Sequence, residues 1–127
     1  MIVRLLQANR PSSTPENRGI LMNKAITRLR QFRDLRDWKQ FHNPKDLSIA
    51  LSIEAAELME LFLWKTAEEA DVNKVKEELA DVFAYALLLA DSYDLDIEQI
   101  VLDKIALNEK KYPVSKAKGT AKKYSEL

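Results

Sequence analysis

The chain has 127 residues, which is the usual length of a single domain. Apolar residues make up 46% of it, with only 2 Gly and 4 Pro, so collagen-like, glycine-rich and wholly disordered chains are excluded. The 20 Lys and Arg balance the 20 Asp and Glu, and we therefore expect neither nucleic acid nor a membrane as a partner. Cysteine is absent and histidine occurs once, which excludes disulfides, thiol nucleophiles, zinc–thiolate sites and metal sites with several histidines, and fits a reducing, cytoplasmic setting.

Three segments are predicted along the chain. The longest apolar stretch, residues 79–90, is about half the roughly 20 residues that a membrane span needs. The apolar start is interrupted at Arg4, and Pro, Ser and Thr dominate residues 11–15. We therefore expect residues 1–21 to form a disordered leader, residues 22–113 a helical domain and residues 114–127 a basic, irregular tail.

Strand signals are nearly absent, since no period-2 run and no Asn-Gly or Asp-Gly turn occurs. The first predicted helix covers about residues 23–40 and ends before Pro44. Asn43 has the character of an N-cap with Pro44 at the first helical position, and the second helix is predicted to extend from there to about Trp64.

Two further helices follow. Thr66 with Glu69 three residues later predicts a capping box for the third helix, which extends to about residue 93. Asp96 with Gln99 begins the fourth in the same manner, and Pro113 ends it. The sequence thus predicts an all-α fold, a four-helix bundle.

Four carboxylates in the second and third predicted helices have mostly apolar neighbours in the sequence. Glu54 and Glu57 lie in an almost continuous apolar run, and every residue from 79 to 90 except Asp81 is apolar or aromatic. A helix that is apolar on all sides is buried on all sides, so an unpaired carboxylate there would cost several kcal/mol. Glu54 and Glu57 are three residues apart, as are Glu78 and Asp81, so each pair lies on one helix face.

Helices joined by a short connection are antiparallel neighbours, which would place these four carboxylates around one point. Four negative charges there require a cation, and oxygen ligands without imidazole or thiolate indicate Mg²⁺, or Mn²⁺. A single pair of Glu at this spacing is common on solvated helix surfaces, but two pairs within apolar runs are not. A di-iron site would need Glu-x-x-His, and His42 is not three residues after any Glu.

Other polar residues fall on faces that could serve the same site. Tyr85 lies one turn beyond Asp81, and Lys104, Asn108 and Lys111 form a polar, cationic stripe on the fourth helix. That stripe could neutralise a polyphosphate, or it is simply a solvated face. Trp38 and His42 could stack on and hydrogen-bond a nucleobase, and Trp64 closes the second helix. Each of these aromatic residues could equally be structural.

The pattern Glu54-Ala55-Ala56-Glu57, followed by Glu78-Leu79-Ala80-Asp81, resembles the all-α nucleoside triphosphate pyrophosphohydrolases of the MazG type. The resemblance is closest to the dCTP pyrophosphatase branch. It covers the chain from about Leu29 to the C-terminus. The segments that carry it are RDWKQFHNPKDL (36–47), EAAELMELFLW (54–64), EELADVFAYALLLA (77–90), NEKKYPV (108–114) and KGTAKKYSEL (118–127).

The resemblance implies Mg²⁺-dependent hydrolysis of a nucleoside triphosphate, preferably dCTP or a related dNTP, to the monophosphate and pyrophosphate. It implies Glu54, Glu57, Glu78 and Asp81 as metal ligands. The substrate contacts that it implies are Trp38, Lys39, Gln40, Phe41, His42, Trp64, Tyr85, Lys104, Asn108 and Lys111, with Tyr112 as a further phosphate contact. Leu29 stands where animal members have a His that contacts substrate, which bears on base specificity.

Two further expectations concern mechanism and assembly. We interpret Glu57 as the carboxylate that orients or deprotonates the attacking water, beside the metal. Helices that are apolar on every face exceed what a four-helix monomer can cover, which predicts an oligomer. The resemblance implies a homotetramer of paired dimers. The alternatives to the implied function are a non-catalytic helical oligomerisation or interaction module, and a relative with another base specificity such as dUTP.

Overall fold

The computed structural model describes residues 15–127, with side chains from Asn23 onward, and no residue in this range lies in a strand. The all-α fold class is therefore confirmed for the described residues. Five α-helices occur there: α1 (Pro15–Asp34), α2 (Pro44–Glu60), α3 (Val72–Ser92), α4 (Ile97–Lys111) and α5 (Val114–Ala117). Short 3-10 turns lie at Trp38–Phe41, Ala67–Glu69 and Tyr124–Glu126.

Helix α1 begins and ends earlier than the predicted residues 23–40. Pro15 occupies its first position, where the missing N–H and the fixed φ of proline are well tolerated. Residues 15–21 of the expected leader thus fall in α1, whereas residues 1–14 lie outside the described residues. Asp37 adopts a left-handed backbone with φ 54°, which separates α1 from the 3-10 turn at Trp38–Phe41.

The predicted start of α2 is confirmed. The side chain of Asn43 accepts a hydrogen bond from the backbone N–H of Asp46 at 3.0 Å, and Pro44 is the first helical residue. The helix ends at Glu60 rather than near Trp64, because the residues after it form turns. Trp64 itself has a left-handed backbone with φ 60°.

The prediction for the start of the third helix was wrong in detail. The backbone N–H of Thr66 does donate to Glu69 Oε2 at 2.6 Å, but this box begins only a 3-10 turn. Ala70 then has an extended backbone with ψ 136°, which interrupts the helix. Asp71 is the N-cap of α3, since its side chain accepts from the N–H of Asn73 at 2.9 Å.

The predicted bounds of the fourth helix are confirmed. Asp96 caps α4 by accepting from the N–H of Gln99 at 3.0 Å, and α4 ends at Lys111 before Pro113. The tail differs from the irregular segment that we expected, because it contains α5 and the 3-10 turn at Tyr124–Glu126. The chain divides into two compact units, and the boundary falls between Asp94 and Leu95.

In the first unit, α3 packs against both α2 and α1. Its buried apolar residues are Leu47, Ala84, Leu87, Leu88 and Ala90. Ion pairs also join α1 to α3. Arg30 Nε donates to Asp91 Oδ1 at 2.9 Å, and Arg33 Nη1 lies 3.7 Å from Asp91 Oδ2. The hydrogen bond from Arg30 is the main reason that the pKa of Asp91 is lowered.

Much of the apolar surface of α2 and α3, the helices expected to be apolar on every face, is exposed in the single chain. The exposed apolar residues of these two helices include Ile49, Ile53, Met59, Val72, Leu79 and Phe83. Within the described range, no helix combines the length and the hydropathy that crossing a membrane requires.

Candidate metal centre

Three carboxylates meet where α2 packs against α3. Glu54 extends from α2, and Glu78 and Asp81 extend from α3. One oxygen of each carboxylate lies within 4.8 Å of the other two. The spacing of three residues places Glu78 and Asp81 on one face of α3, which is why both reach Glu54.

These carboxylates are unusually buried for acidic groups. Glu54 is 6% exposed, Asp81 is 8% exposed and Glu78 is half-buried. Burial is the first cause that raises the pKa of Glu54 to about 7, followed by a hydrogen bond with Glu57 and the charge of Asp81. At neutral pH the protein therefore holds Glu54 close to the midpoint of its titration.

The two carboxylates from α3 are shifted in the same direction. Burial, followed by the charges of Glu57 and Asp81, raises the pKa of Glu78. Burial, followed by the charges of Glu57 and Glu77, raises the pKa of Asp81. Like charges that disfavour one another in this way are stabilised together by a cation, and an all-carboxylate donor set suits a hard ion such as Mg²⁺ or Mn²⁺. The residues present thus fit the predicted metal.

Glu57, the fourth predicted ligand, lies at the border of this cluster. Its side chain is exposed, and the ligand group that the structure brings together consists of the other three carboxylates. Its hydrogen bond to Glu54 places it next to them. Glu57 as a ligand, and as the carboxylate that activates water, remains a prediction.

Tyr85 lies beside the cluster, as its position one turn after Asp81 suggested. It is half-buried, and burial is the main cause that raises the pKa of its hydroxyl. The negative charges of Glu54 and Asp81 raise it further. The Tyr85 hydroxyl therefore stays protonated at neutral pH and remains available as a hydrogen-bond donor.

A group of aromatic rings forms at the end of α1. Trp38 meets Phe32 edge to face with ring centroids 5.7 Å apart, and His42 lies 6.5 Å from Trp38 at an interplanar angle of 54°. The guanidinium of Arg36 lies 3.7 Å above the ring of Phe32 and 6.0 Å from the ring of Trp38. Trp38 and His42 are both half-buried, so each has packing contacts and an accessible part.

His42 is held in its neutral form. Burial lowers its pKa first, and the positive charge of Arg33 lowers it further. Its Nδ1 atom is buried without a hydrogen-bond partner among the described residues. A neutral imidazole can both donate and accept a hydrogen bond, as recognition of a nucleobase edge requires.

The other predicted contacts in the first unit are more open. Lys39, Gln40 and Phe41 are exposed on the 3-10 turn, and Gln40 Nε2 donates to the side chain of Asp37 at 2.8 Å. Trp64 is 94% exposed, so it takes almost no part in the packing of this chain.

Lys104, Asn108 and Lys111 lie in the second unit, on α4. Both lysines are exposed and Asn108 is half-buried. The ammonium of Lys111 lies 5.1 Å from the centroid of the Tyr124 ring, and that ring meets Tyr112 edge to face at 6.1 Å.

Sequence reasoning missed two features of α1 and the residues that follow it. One is Arg36, which stacks on Phe32 next to Trp38, and the other is the pairing of Arg30 and Arg33 with Asp91. The second could have been found, because Asp91 directly follows the long apolar run and the two arginines are three residues apart. The first could have been found too, because Arg36 follows Phe32 by four residues, a spacing that brings two side chains together on a helix.

In the residues that the structure describes, the protein is all-α and holds a largely buried cluster of three carboxylates, and these two features define its class. The chain belongs to the MazG-like family, whose family model matches residues 49–127. This result confirms the resemblance drawn from the two carboxylate motifs.

The curated relatives include dCTP pyrophosphatase 1 of Bos taurus, which is 40% identical over 76% of this chain, and the Homo sapiens protein of the same name at 39%. The chain spans 62% of the length of these relatives. A crystal structure of a pyrophosphatase from Archaeoglobus fulgidus is similar in fold, with a TM-score of 0.69 and 34% identity. That match covers 84% of this chain and 99% of the archaeal one.

Proposed function

We propose that this protein is a nucleoside triphosphate pyrophosphohydrolase, which cleaves dCTP or a related deoxynucleoside triphosphate to the monophosphate and pyrophosphate with Mg²⁺. The observation that carries the proposal is the meeting of Glu54, Glu78 and Asp81 within 4.8 Å at a largely buried point. The names of the relatives, dCTP pyrophosphatase 1 and a pyrophosphatase, support the reaction and the substrate class.

In this proposal, Glu54, Glu78 and Asp81 hold the metal ion, with Glu57 as a further ligand. Mg²⁺ bound there would supply Lewis-acid polarisation of the phosphate chain and a lowered pKa for a coordinated water. Glu57 is exposed and next to Glu54, so its carboxylate can orient a water molecule and accept its proton. The protonated hydroxyl of Tyr85 can donate to a substrate oxygen beside the cluster.

Recognition of the nucleoside is assigned to the residues around the 3-10 turn. Trp38 offers an aromatic face and His42 a neutral imidazole, while Lys39, Gln40 and Phe41 are accessible on the same turn. Trp64 adds an exposed indole after α2. On α4, Lys104, Asn108 and Lys111 would contact the phosphate chain and balance charge on the departing pyrophosphate.

Assembly into a homo-oligomer, a tetramer of paired dimers, completes the proposal. It is supported by the exposed apolar faces of α2 and α3, where Ile53, Met59, Val72 and Phe83 are each more than half exposed. Apolar surface on this scale marks an association surface in soluble proteins. A single species of 14.6 kDa in gel filtration at micromolar concentration would contradict the assembly.

The reaction is tested by replacing Asp81. Asp81→Asn removes a ligand charge while keeping the shape of the side chain, so conversion of dCTP to dCMP and pyrophosphate should fall by at least about 100-fold. Asp94→Asn is the matched control, because Asp94 is exposed and its left-handed backbone, φ 54°, is one that Asn readily adopts. Turnover by Asp81→Asn equal to that of Asp94→Asn would refute the metal assignment.

A further inference from the structure

The C-terminal tail of the second unit folds back onto the end of α4. Gly119 has φ +76°, a conformation that favours glycine, and it lies between α5 and the last 3-10 turn. Two hydrogen bonds stabilise that turn. The N–H of Lys123 donates to Glu126 Oε2 at 3.1 Å, and the N–H of Glu126 donates to the carbonyl of Lys123 at 2.8 Å. These hydrogen bonds therefore fix the backbone at Tyr124.

The ring of Tyr124 has two contacts on α4 and its C-cap. One is the edge-to-face contact with Tyr112 at 6.1 Å and 83°. The other is with Lys111, whose ammonium lies 5.1 Å from the ring centroid, within the range of a cation–π contact. Tyr124 is 50% exposed and Lys111 is exposed, so a ligand can reach the ammonium from solution.

We infer that Tyr124 is a positioning residue, which restricts the ammonium group of Lys111 so that it is preorganised to bind a polyphosphate. This inference rests on the proposed function and extends it to a residue outside the proposed contacts.

The physical reason lies in the flexibility of lysine. A free lysine loses rotamer entropy when it binds an anion, and restricting the side chain beforehand reduces that loss. An aromatic face restricts the side chain without neutralising its charge, whereas a carboxylate would compete with the phosphate. In the part of the chain that the structure describes, no carboxylate forms an ion pair with Lys111.

The test compares Tyr124→Ala and Tyr124→Phe in steady-state hydrolysis of dCTP with Mg²⁺. Loss of an exposed cation–π contact predicts a KM about two- to five-fold higher for Tyr124→Ala with kcat unchanged. Tyr124→Phe keeps the ring face and should restore the wild-type KM. Tyr93→Ala is the control, because it removes another exposed tyrosine that lies in the first unit.

A double-mutant cycle with Lys111→Met separates positioning from a general effect on the fold. In the Lys111→Met background, Tyr124→Ala should change KM no further, since the ammonium that it restricts is gone. An unchanged KM in Tyr124→Ala, or an equal rise in both backgrounds, would overturn the inference.

A binding measurement keeps this inference distinct from the proposed function. Calorimetric titration with inorganic tripolyphosphate and Mg²⁺ requires no turnover, and Tyr124→Ala should weaken that binding by the same two- to five-fold. A wild-type protein that hydrolyses no nucleotide but shows this weakening refutes the proposed reaction alone. Equal tripolyphosphate affinity in wild type and Tyr124→Ala refutes the positioning role, whether or not the protein is active.

Discussion

Replacing Glu54 by Gln should stabilise the metal-free protein at alkaline pH while removing its response to Mg²⁺. The carboxylate of Glu54 is 6% exposed and close to Asp81 and Glu78, so its ionised form is disfavoured in the folded state. The neutral amide of Gln has nearly the same shape and can still donate a hydrogen bond to Glu57. Glu54 thus lowers the stability of the metal-free protein, although it is proposed to serve the metal site.

The sign and size follow from the pKa of Glu54, which is raised from 4.5 to about 7. Between these two values the folded state keeps a proton that the unfolded state has released, so the free energy of unfolding falls as pH rises through this window. Each pKa unit corresponds to about 1.4 kcal/mol, which gives about 2–3 kcal/mol once screening by water is included. The wild type should lose this amount between pH 4.5 and pH 8, beyond any loss in the Gln variant.

Urea unfolding in EDTA at fixed protein concentration measures this difference, because association would otherwise contribute. Glu60→Gln is the matched control, since Glu60 is an exposed glutamate on the same helix, and it should follow the wild-type curve. Adding Mg²⁺ at pH 8 should stabilise the wild type and Glu60→Gln more than Glu54→Gln. Wild-type and Glu54→Gln curves that remain parallel from pH 4.5 to pH 8 would show that burial does not raise the pKa of Glu54.

Three further predictions concern the frame around the site. Asp91→Ala should lower the free energy of unfolding by about 2–4 kcal/mol, because it leaves the buried guanidinium of Arg33 with a carboxylate on one side only; a loss below about 0.5 kcal/mol in urea unfolding would contradict this. Asn43→Ala should lower the free energy of unfolding by about 1 kcal/mol, because it removes the side chain that accepts from the N–H of Asp46. A melting temperature by circular dichroism equal to that of the wild type would argue against a role for this cap. NMR titration should give His42 a pKa below 6.5, so that its protonation destabilises the fold as pH falls; a pKa above 6.5 would show that burial does not dominate.

The elements that local rules control were predictable from the sequence. Asn43 and Asp96 both cap the helices that they were expected to cap, because an N-cap depends on one side chain and the next three residues. The start of α3 was misplaced for the same reason: two capping signals, Thr66 and Asp71, lie five residues apart, and both are used. Only the extended backbone at Ala70 decides which of them begins the α-helix.

The candidate site was predictable to the extent that burial and spacing determine it. An acidic residue inside an apolar run, repeated at a spacing of three, identified Glu54, Glu78 and Asp81 correctly as neighbours. The contacts made by the tail could not be foreseen, because they depend on a chain reversal near Gly119 and on the ring of Tyr124. Long-range contacts of this kind leave no periodic signal in a sequence.

The most direct test of the proposed metal centre is pyrophosphate release from a panel of canonical and 5-modified dNTPs and NTPs, measured with Mg²⁺ and with EDTA. We expect release that requires Mg²⁺, is abolished by EDTA, and is fastest with dCTP or a closely related dNTP. Failure to release pyrophosphate from any nucleotide, or release that EDTA does not diminish, would contradict the claim that the three carboxylates form a metal centre for nucleotide hydrolysis.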